Sequence, residues 1–198
     1  MILGAVLAGG RSSRFGSDKA EALWGERSLL DHVVARLTSV CSAVIICGRH
    51  ADTIPSVPDR PTPDLGPLGG LNAALHYAGA AGYDRVIVAP CDTPLLDDEL
   101  FTALASATGD VFLATMPVIG SWRSAHADLL DAHLRSNDSR SMRGWAEAIG
   151  ATSLRRPAPP NINYPADLER LANKGSTEIG SLQSDHELLE NRRSARPD

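Results

Sequence analysis

The chain has 198 residues, of which 43% are hydrophobic and 22% are charged, and its formal net charge at pH 7 is −5. A globular protein of this length can bury a sizeable core, and the negative net charge gives no overall attraction to nucleic acid or to an anionic membrane. No stretch of the sequence is long and apolar enough to cross a bilayer, so we expect neither a membrane nor a nucleic acid as a partner.

In chain order, runs rich in valine and isoleucine alternate with stretches of helical periodicity. The predicted elements are strand 2–7, helix 28–40, strand 43–48, helix 68–82, strand 85–90, helix 96–107 and strand 110–118. After residue 119 the pattern weakens, and we predict helices over 126–134 and 141–150, a short strand within 151–157 and a helix over 165–174. No positively charged region precedes the first apolar run, so we interpret it as a buried strand rather than a signal peptide.

Strands that alternate with helices predict right-handed crossovers and an α/β fold with a mostly parallel twisted sheet, covered by helices on both faces. We assign residues 1–174 to one domain and residues 175–198 to a polar C-terminal tail.

The three cysteines and six histidines point to no metal site in the sequence. Cys41, Cys47 and Cys91 are odd in number and form no CxxC motif, which argues against a disulfide framework and favours a reducing cytoplasm. No pair of histidines has metal-ligand spacing with a carboxylate, so we expect structural or surface roles for all six.

The first predicted strand continues into LAGGRSSRFGSDKAEAL, residues 7–23. Ligands of open α/β sheets bind beyond the carboxyl ends of the strands. Gly9 and Gly10 permit a sharp turn and a close approach to backbone N–H groups, and Arg14 and Lys19 supply charges that contact phosphate oxygens. The spacing matches neither GxxxxGK[ST] nor GxGxxG. The loop predicts a polyphosphate site, although its composition alone is equally compatible with a solvated loop.

Three later stretches make the polyphosphate interpretation the stronger one: PDLGPLGGL (63–71), APCDTPLL (89–96) and NINYPADLERL (161–171). With the loop, they resemble in the same order the elements LAGG-x-S-x-R-M-G-x-D-K, G-P-L-x-G-L, C-D-x-P and N-x-N-T-P-x-D-L of the nucleotidyltransferases that act on sugar phosphates and pterin cofactors. Residues 141–152 are similar to the L-R-x-W-L … G-A segment of the same family. LAGG and the pair Asp18–Lys19 resemble the guanylyl branch, the molybdenum cofactor guanylyltransferases, more than the cytidylyl branch.

This resemblance implies a Rossmann-like nucleotidyltransferase fold and the transfer of GMP from GTP to molybdopterin, with Mg²⁺ as cofactor and pyrophosphate as product. It also implies cytoplasmic proteins that carry or accept the cofactor as candidate partners. Two alternatives stay open. One is a cytidylyltransferase, or a guanylyltransferase with another phosphorylated acceptor. The other is a non-catalytic protein that only binds the nucleotide.

The resemblance also implies which residues form the site. For nucleotide binding these are Leu7, Ala8, Gly9, Gly10, Lys19, Asp59, Gly66 and Asp92. For catalysis they are Arg14, Lys19 and Asp92. For Mg²⁺ they are Asp92 together with Asn163 or Asn161. Because the attacking phosphate of the acceptor is already ionised, we expect no strong general base among them.

The sequence departs from the family pattern at three places. Phe15 stands where the family commonly has methionine, and Ile46 stands where some members have an asparagine that contacts the nucleotide. Residues 124–130, SAHADLL, correspond to an element H-P-L-x-A-L that faces the pterin substrate in the family, but they lack its proline. For Asp92 a competing interpretation is a helix N-cap, because a helix start follows it.

Overall fold

The computed structural model describes residues 1–9, 18–136 and 140–170. Gly10, Arg14 and Phe15 lie outside the described residues, as does the proposed tail 175–198. The strands are β1 (Ile2–Leu7), β2 (Leu23–Trp24), β3 (Arg27–Ser28), β4 (Ala43–Cys47), β5 (Ser56–Val57), β6 (Arg85–Pro90), β7 (Val111–Leu113), β8 (Met116–Arg123) and β9 (Thr152–Leu154). The helices are α1 (Leu29–Thr38), α2 (Pro67–Ala80), α3 (Asp98–Ser106), α4 (Ala127–Arg135) and α5 (Met142–Ala148), and residues 165–170 are helical.

Seven strands of the described chain form one sheet in the order β5-β4-β1-β6-β8-β7-β9, and β2 and β3 form a separate hairpin. β5, β4, β1 and β6 are parallel, and β8 runs antiparallel to its neighbours β6 and β7. The predicted mostly parallel sheet is therefore confirmed.

The two faces of the sheet are buried by different helices, as the alternation of side chains along a strand requires. Leu3, Ala5 and Leu7 of β1 pack in a core with residues of α2, α4 and α5. Val6 points to the opposite face and packs in a second core with residues of α1 and α3. Helices on both faces of the sheet are likewise confirmed.

The prediction of a single strand over 110–118 is wrong. The run turns at residues 114–115, and the chain returns as β8, paired antiparallel with β7. The turn interrupts an apolar run without a glycine or proline at its centre, so periodicity gave no sign of it. As a consequence, Met116 lies at the edge where β1 and β6 end, and Arg123 lies at the opposite edge.

The start of α1 agrees with the sequence. The Ser28 hydroxyl accepts a hydrogen bond from Asp31 N at 3.0 Å, and the Asp31 carboxylate accepts one from Ser28 N at 3.4 Å. This reciprocal pair satisfies backbone donors that a helix start leaves without partners. No helix in the described part of the chain has both the length and the apolar character to span a membrane.

Candidate functional site

A cleft of about 690 Å³ lies at the carboxyl ends of β1, β4 and β6. It gathers every described residue that the sequence assigned to the site: Leu7, Ala8, Gly9, Lys19, Asp59, Gly66, Asp92, Asn161 and Asn163. The assigned residues Gly10 and Arg14 lie outside the described part of the chain.

Backbone hydrogen bonds fix the entry of the glycine-rich loop between two neighbouring strand ends. Ala8 N donates to Cys47 O at 3.0 Å, and Cys91 N donates to Leu7 O at 3.1 Å. Gly9 then passes so close to Gly48 that a Cβ atom added to Gly48 would lie 2.6 Å from Gly9 Cα. Gly48 also has φ +85°, so only glycine fits at this crossing.

Three polar side chains from distant parts of the sequence meet in the cleft. Lys19 Nζ donates to Asp92 Oδ2 at 2.9 Å and to Asn163 Oδ1 at 3.0 Å. The backbone holds the third residue in place, because Ile162 N donates to Asp92 O at 2.9 Å. The ammonium group of Lys19 therefore lies between the carboxylate of Asp92 and the amide oxygen of Asn163, at the end of β6.

The carboxylate of Asp92 is only half satisfied. Its Oδ1 atom is buried and has no hydrogen-bond partner in the described structure. Asp92 is also not a helix cap, because α3 begins at Asp98 and its cap is Asp97, whose Oδ1 accepts from Leu100 N at 2.6 Å. A buried oxygen without a partner is rare and calls for an explanation, and a bound cation supplies one.

The far wall of the cleft is the start of α2 and the loop before it. Gly66 has φ +63° and supplies no side-chain cap, and Pro67 occupies the first turn. Asp59 is half-buried beside Gly69, where an added Cβ atom would lie 3.2 Å from the Cβ atom of Asp59. Burial, and next the nearby carboxylate of Asp64, raise the pKa of Asp59 above its usual value of 3.8. An uncapped helix start next to a poorly solvated acceptor can bind a ligand that carries both negative charge and N–H or O–H donors.

Arg49 is a feature of the site that the sequence did not predict. Its guanidinium donates to Asp18 Oδ1 at 2.9 Å and to Glu21 Oε1 at 2.9 Å, and these two residues flank Lys19. The Asp18 carboxylate also accepts from Ala20 N at 3.1 Å. Arg49 therefore fixes the 3-10 turn Lys19–Glu21 that presents the lysine. The contacts span 28 and 31 residues of sequence, which leaves no local signal of the pairing.

Two of the departures from the family pattern now have positions. Ile46 is fully buried in the core that α1 and α3 cover, so its side chain does not reach the cleft. Residues 124–130 lie at the opposite edge of the sheet, where Ser124 N donates to Asp84 O at 3.0 Å. The side chains that β8 brings to the cleft are Met116 and Val118, with Pro117 between them.

Cys91 lines the cleft, but burial raises the pKa of its thiol to about 12, and the Asp92 carboxylate adds to that rise. Since the thiolate is the nucleophile, this cysteine is inert near neutral pH. All three cysteines are free.

Comparisons with known proteins agree with this geometry. The family model described as "MobA-like NTP transferase domain" matches residues 4–153. A protein of Rhizobium leguminosarum bv. trifolii (strain WSM2304) named "Molybdenum cofactor guanylyltransferase" is 35% identical over 187 residues, which cover 84% of this chain and 90% of the relative. A protein of Rhodobacter capsulatus with the same name is 31% identical over 178 residues, covering 85% and 94% of the two chains.

Among solved structures, a similar fold is found in "Molybdopterin-guanine dinucleotide biosynthesis protein A" from Archaeoglobus fulgidus, with a TM-score of 0.64 at 18% identity. The match covers 88% of this chain and 99% of that one. From the matched domain and from the identity to full-length relatives, the chain belongs to the family of the MobA-like NTP transferase domain.

Proposed function

We propose that this chain transfers GMP from GTP to molybdopterin, releases pyrophosphate and so forms the guanine dinucleotide cofactor. The observation that carries the proposal is the meeting of Lys19, Asp92 and Asn163 in one cleft at the strand ends. The curated relatives, which align over more than four-fifths of the chain, are named for the guanylyl transfer to this cofactor.

The nucleotide would lie along the backbone of residues 7–9, with its base or ribose against the start of α2. Gly66 has no side chain and φ +63°, so a planar base or a ribose can approach the backbone at the start of α2. Asp59 offers acceptor oxygens to N–H or O–H groups of the nucleoside. Its desolvated carboxylate has few competing partners, which strengthens such a hydrogen bond.

The donor set of the cleft fits Mg²⁺, a hard cation that binds through one or two protein oxygens and completes its shell with water and phosphate. Asp92 offers its unpartnered Oδ1 atom, and the amide oxygen of Asn163 faces the same lysine. Asn161 also borders the cleft. When bound, Mg²⁺ would screen the negative charges of the triphosphate and polarise its phosphoryl oxygens.

The protein's own contribution to the reaction is positioning and charge. Lys19 is 13% exposed and stands between two oxygens, so its ammonium group is already fixed for contact with a phosphate. We propose that it neutralises the charge that develops on the leaving pyrophosphate, together with Arg14. Such prearranged electrostatic contacts dominate phosphoryl and nucleotidyl transfer, since little covalent chemistry falls to the protein.

The decisive experiment identifies the product. The full chain is incubated with Mg²⁺, molybdenum-loaded molybdopterin and GTP, CTP, ATP or UTP in separate reactions, and mass spectrometry and pyrophosphate release are measured. We expect the guanine dinucleotide product from GTP, and no product after chelation of the metal. A product from CTP alone would favour the cytidylyl alternative. Tight binding of GTP without pyrophosphate release would favour the non-catalytic alternative.

We further propose that the reaction takes place in the cytoplasm, and that proteins which carry or accept the cofactor dock near the cleft. Docking near the cleft is measured by a pull-down of partner proteins with the wild-type chain, compared with a matched sample in which GTP fills the cleft. Partners that bind equally well in both samples, or none at all, would contradict docking at the cleft.

A further inference from the structure

A second cluster of metal-ligating side chains lies between α2 and α4, away from the cleft. His76 comes from α2, and Asp128 and Asp131 come from α4. Each offers one ligand atom, and these atoms lie within 4.8 Å of one another. His76 follows Gly66 by ten residues, which at 1.5 Å per helical residue places it about 15 Å along α2 from the cleft.

The imidazole of His76 contacts a carboxylate at ion-pair distance but makes no hydrogen bond with it. Nε2 is buried and makes no hydrogen bond, although Asp131 Oδ2 is only 3.3 Å away. Histidine nitrogens inside a protein normally donate to or accept from a neighbour, since an unpaired buried polar atom costs free energy. A nitrogen at this distance from one carboxylate, with the Asp128 carboxylate nearby, is placed as a metal ligand would be.

A fully buried asparagine supplies a second, independent observation. Asn72 is 0% exposed, and its Nδ2 donates to Asp131 Oδ1 at 2.5 Å. The Oδ1 atom of the same amide is buried and has no hydrogen-bond partner. Through its Nδ2 atom, Asn72 holds the carboxylate that faces His76. A group that orients a metal-binding carboxylate in this way is a usual part of a metal site.

The sequence spacing places these residues on facing helix surfaces. Asn72 and His76 are four residues apart on α2, and Asp128 and Asp131 are three residues apart on α4, so each pair shares one side of its helix. The pairs come together only because α2 packs against α4. The sequence expectation of a structural or surface role for His76 could not anticipate this arrangement.

We propose that His76, Asp128 and Asp131 bind a divalent transition-metal ion that links α2 to α4. One imidazole nitrogen with carboxylate oxygens suits Zn²⁺ or its neighbours in the first transition row, whereas Mg²⁺ prefers oxygen ligands alone.

Arg135 is the competitor for this position. Its guanidinium lies 3.2 Å from Asp131 Oδ2, on a side chain that is 67% exposed. An exposed arginine can turn into solvent when an ion takes its place. The Asp131 carboxylate would then exchange its contact with Arg135 for one with the metal. Arg135→Gln should then strengthen metal binding.

The test uses the untagged full chain, treated with EDTA, dialysed and titrated with Zn²⁺ by calorimetry. We expect the wild type to bind about one ion per chain and its Tm to rise on binding. His76→Ala or Asp128→Asn should each raise the dissociation constant at least about tenfold. Asp128 is exposed, so its variant tests the ligand without disturbing the core. His50→Ala is the matched control, because His50 lies 3.3 Å from Asp52 on the surface and has no third ligand beside it among the described residues.

Asp92→Asn separates this site from the cleft, and it should leave the His76-dependent binding intact. The proposal is overturned if His76→Ala and Asp128→Asn bind Zn²⁺ as the wild type does. It is equally overturned if Asp92→Asn removes the binding event that these two variants retain. The inference does not depend on the proposed guanylyl transfer, because every readout is metal binding or thermal stability.

Discussion

Two carboxylates beside cations, one at each edge of the sheet, differ in how fully their oxygens are paired. Asp92 lies at the cleft edge after β6, and Asp110 lies at the opposite edge before β7. The side chain of Asp92 is 22% exposed and that of Asp110 is 2% exposed. The more buried of the two is the one with the complete set of partners.

Asp110 is enclosed by donors. Its Oδ1 accepts from Arg123 N at 2.7 Å, and its Oδ2 accepts from Arg123 Nε at 2.8 Å and lies 2.9 Å from His126 Nε2. Burial would raise the pKa of this carboxyl, but the hydrogen bonds from Arg123 and His126 outweigh burial and lower it. By contrast, Asp92 has one oxygen on Lys19 and another with no partner.

The contrast indicates two different uses of buried charge. A carboxylate whose oxygens are all paired ties β7 and β8 together and has no capacity left for a ligand. A carboxylate with a free oxygen, next to a lysine and in a cleft, keeps that capacity at some cost in stability. Mutation of the two residues should therefore affect different properties of the protein.

The largest effect should come from Asp92→Asn, which preserves the size of the side chain and removes its charge. We expect turnover to fall by roughly 10²–10³-fold, as for loss of one prearranged electrostatic contact in an active site. Thermal stability should change little, because the substituted carboxylate is only half paired. Pyrophosphate release and a thermal melt on the same sample measure both quantities. Near-normal turnover would remove Asp92 from the site.

Asp110→Asn should show the reverse pattern. Removal of one partner from a buried ion pair costs about 3 kcal/mol, and in a chain of this size each kcal/mol lowers Tm by about 2–4 °C. Turnover per folded molecule should stay close to that of the wild type. Because the pKa of Asp110 is lowered in the folded state, its stabilisation is present above pH 3.8 and is lost as the pH falls through that lowered value. A variant as stable as wild type in denaturant titrations at neutral pH would contradict the structural role.

Arg49 combines features of both residues, since its guanidinium is paired with Asp18 and Glu21 but acts on the cleft through Lys19. Arg49→Lys keeps the charge and loses the forked contact with Asp18 and Glu21, so we expect turnover to fall roughly 10-fold through misplacement of Lys19. Glu21→Gln removes one contact and should have a smaller effect. Steady-state kinetics with GTP at fixed acceptor measures both. Near-normal turnover of Arg49→Lys would mean that Arg49 does not position Lys19 through this turn.

The cleft was more predictable from sequence than the network at the opposite edge. Asp92 and the glycine-rich loop follow strands that are parallel and adjacent, and the carboxyl ends of such strands meet at one edge. This adjacency places Asp92 beside the loop that carries Lys19, whereas Asn163 was assigned to the site only through the resemblance of residues 161–171 to the family element.

The remaining features depend on pairings that no local pattern encodes. Asp110 and His126 meet only because the chain turns at 114–115 and β8 runs antiparallel, and the apolar run through that turn concealed it. Arg49 and His76 find their partners across long stretches of sequence, on surfaces that become neighbours after the sheet and helices have packed. Periodicity reports which face of an element is buried, but not which element covers it.

The smallest change in stability and ligand binding is expected for substitution of Asp59, which, like Asp92, is a partly buried residue of the cleft. Its pKa is raised in the folded state, so the native protein holds the proton more tightly than the unfolded chain does. Stability is then lost as the pH rises from 3.8 through the raised value. Asp59→Asn removes this loss, and its Tm should exceed that of the wild type at neutral pH by an amount that vanishes as the pH is lowered below 3.8. Calorimetric titration with GTP should show weaker binding by the same variant. If the variant is less stable than the wild type at neutral pH, Asp59 stabilises the fold as Asp110 does. The contrast between fully paired carboxylates at one edge of the sheet and ligand-binding carboxylates in the cleft would then not hold for Asp59.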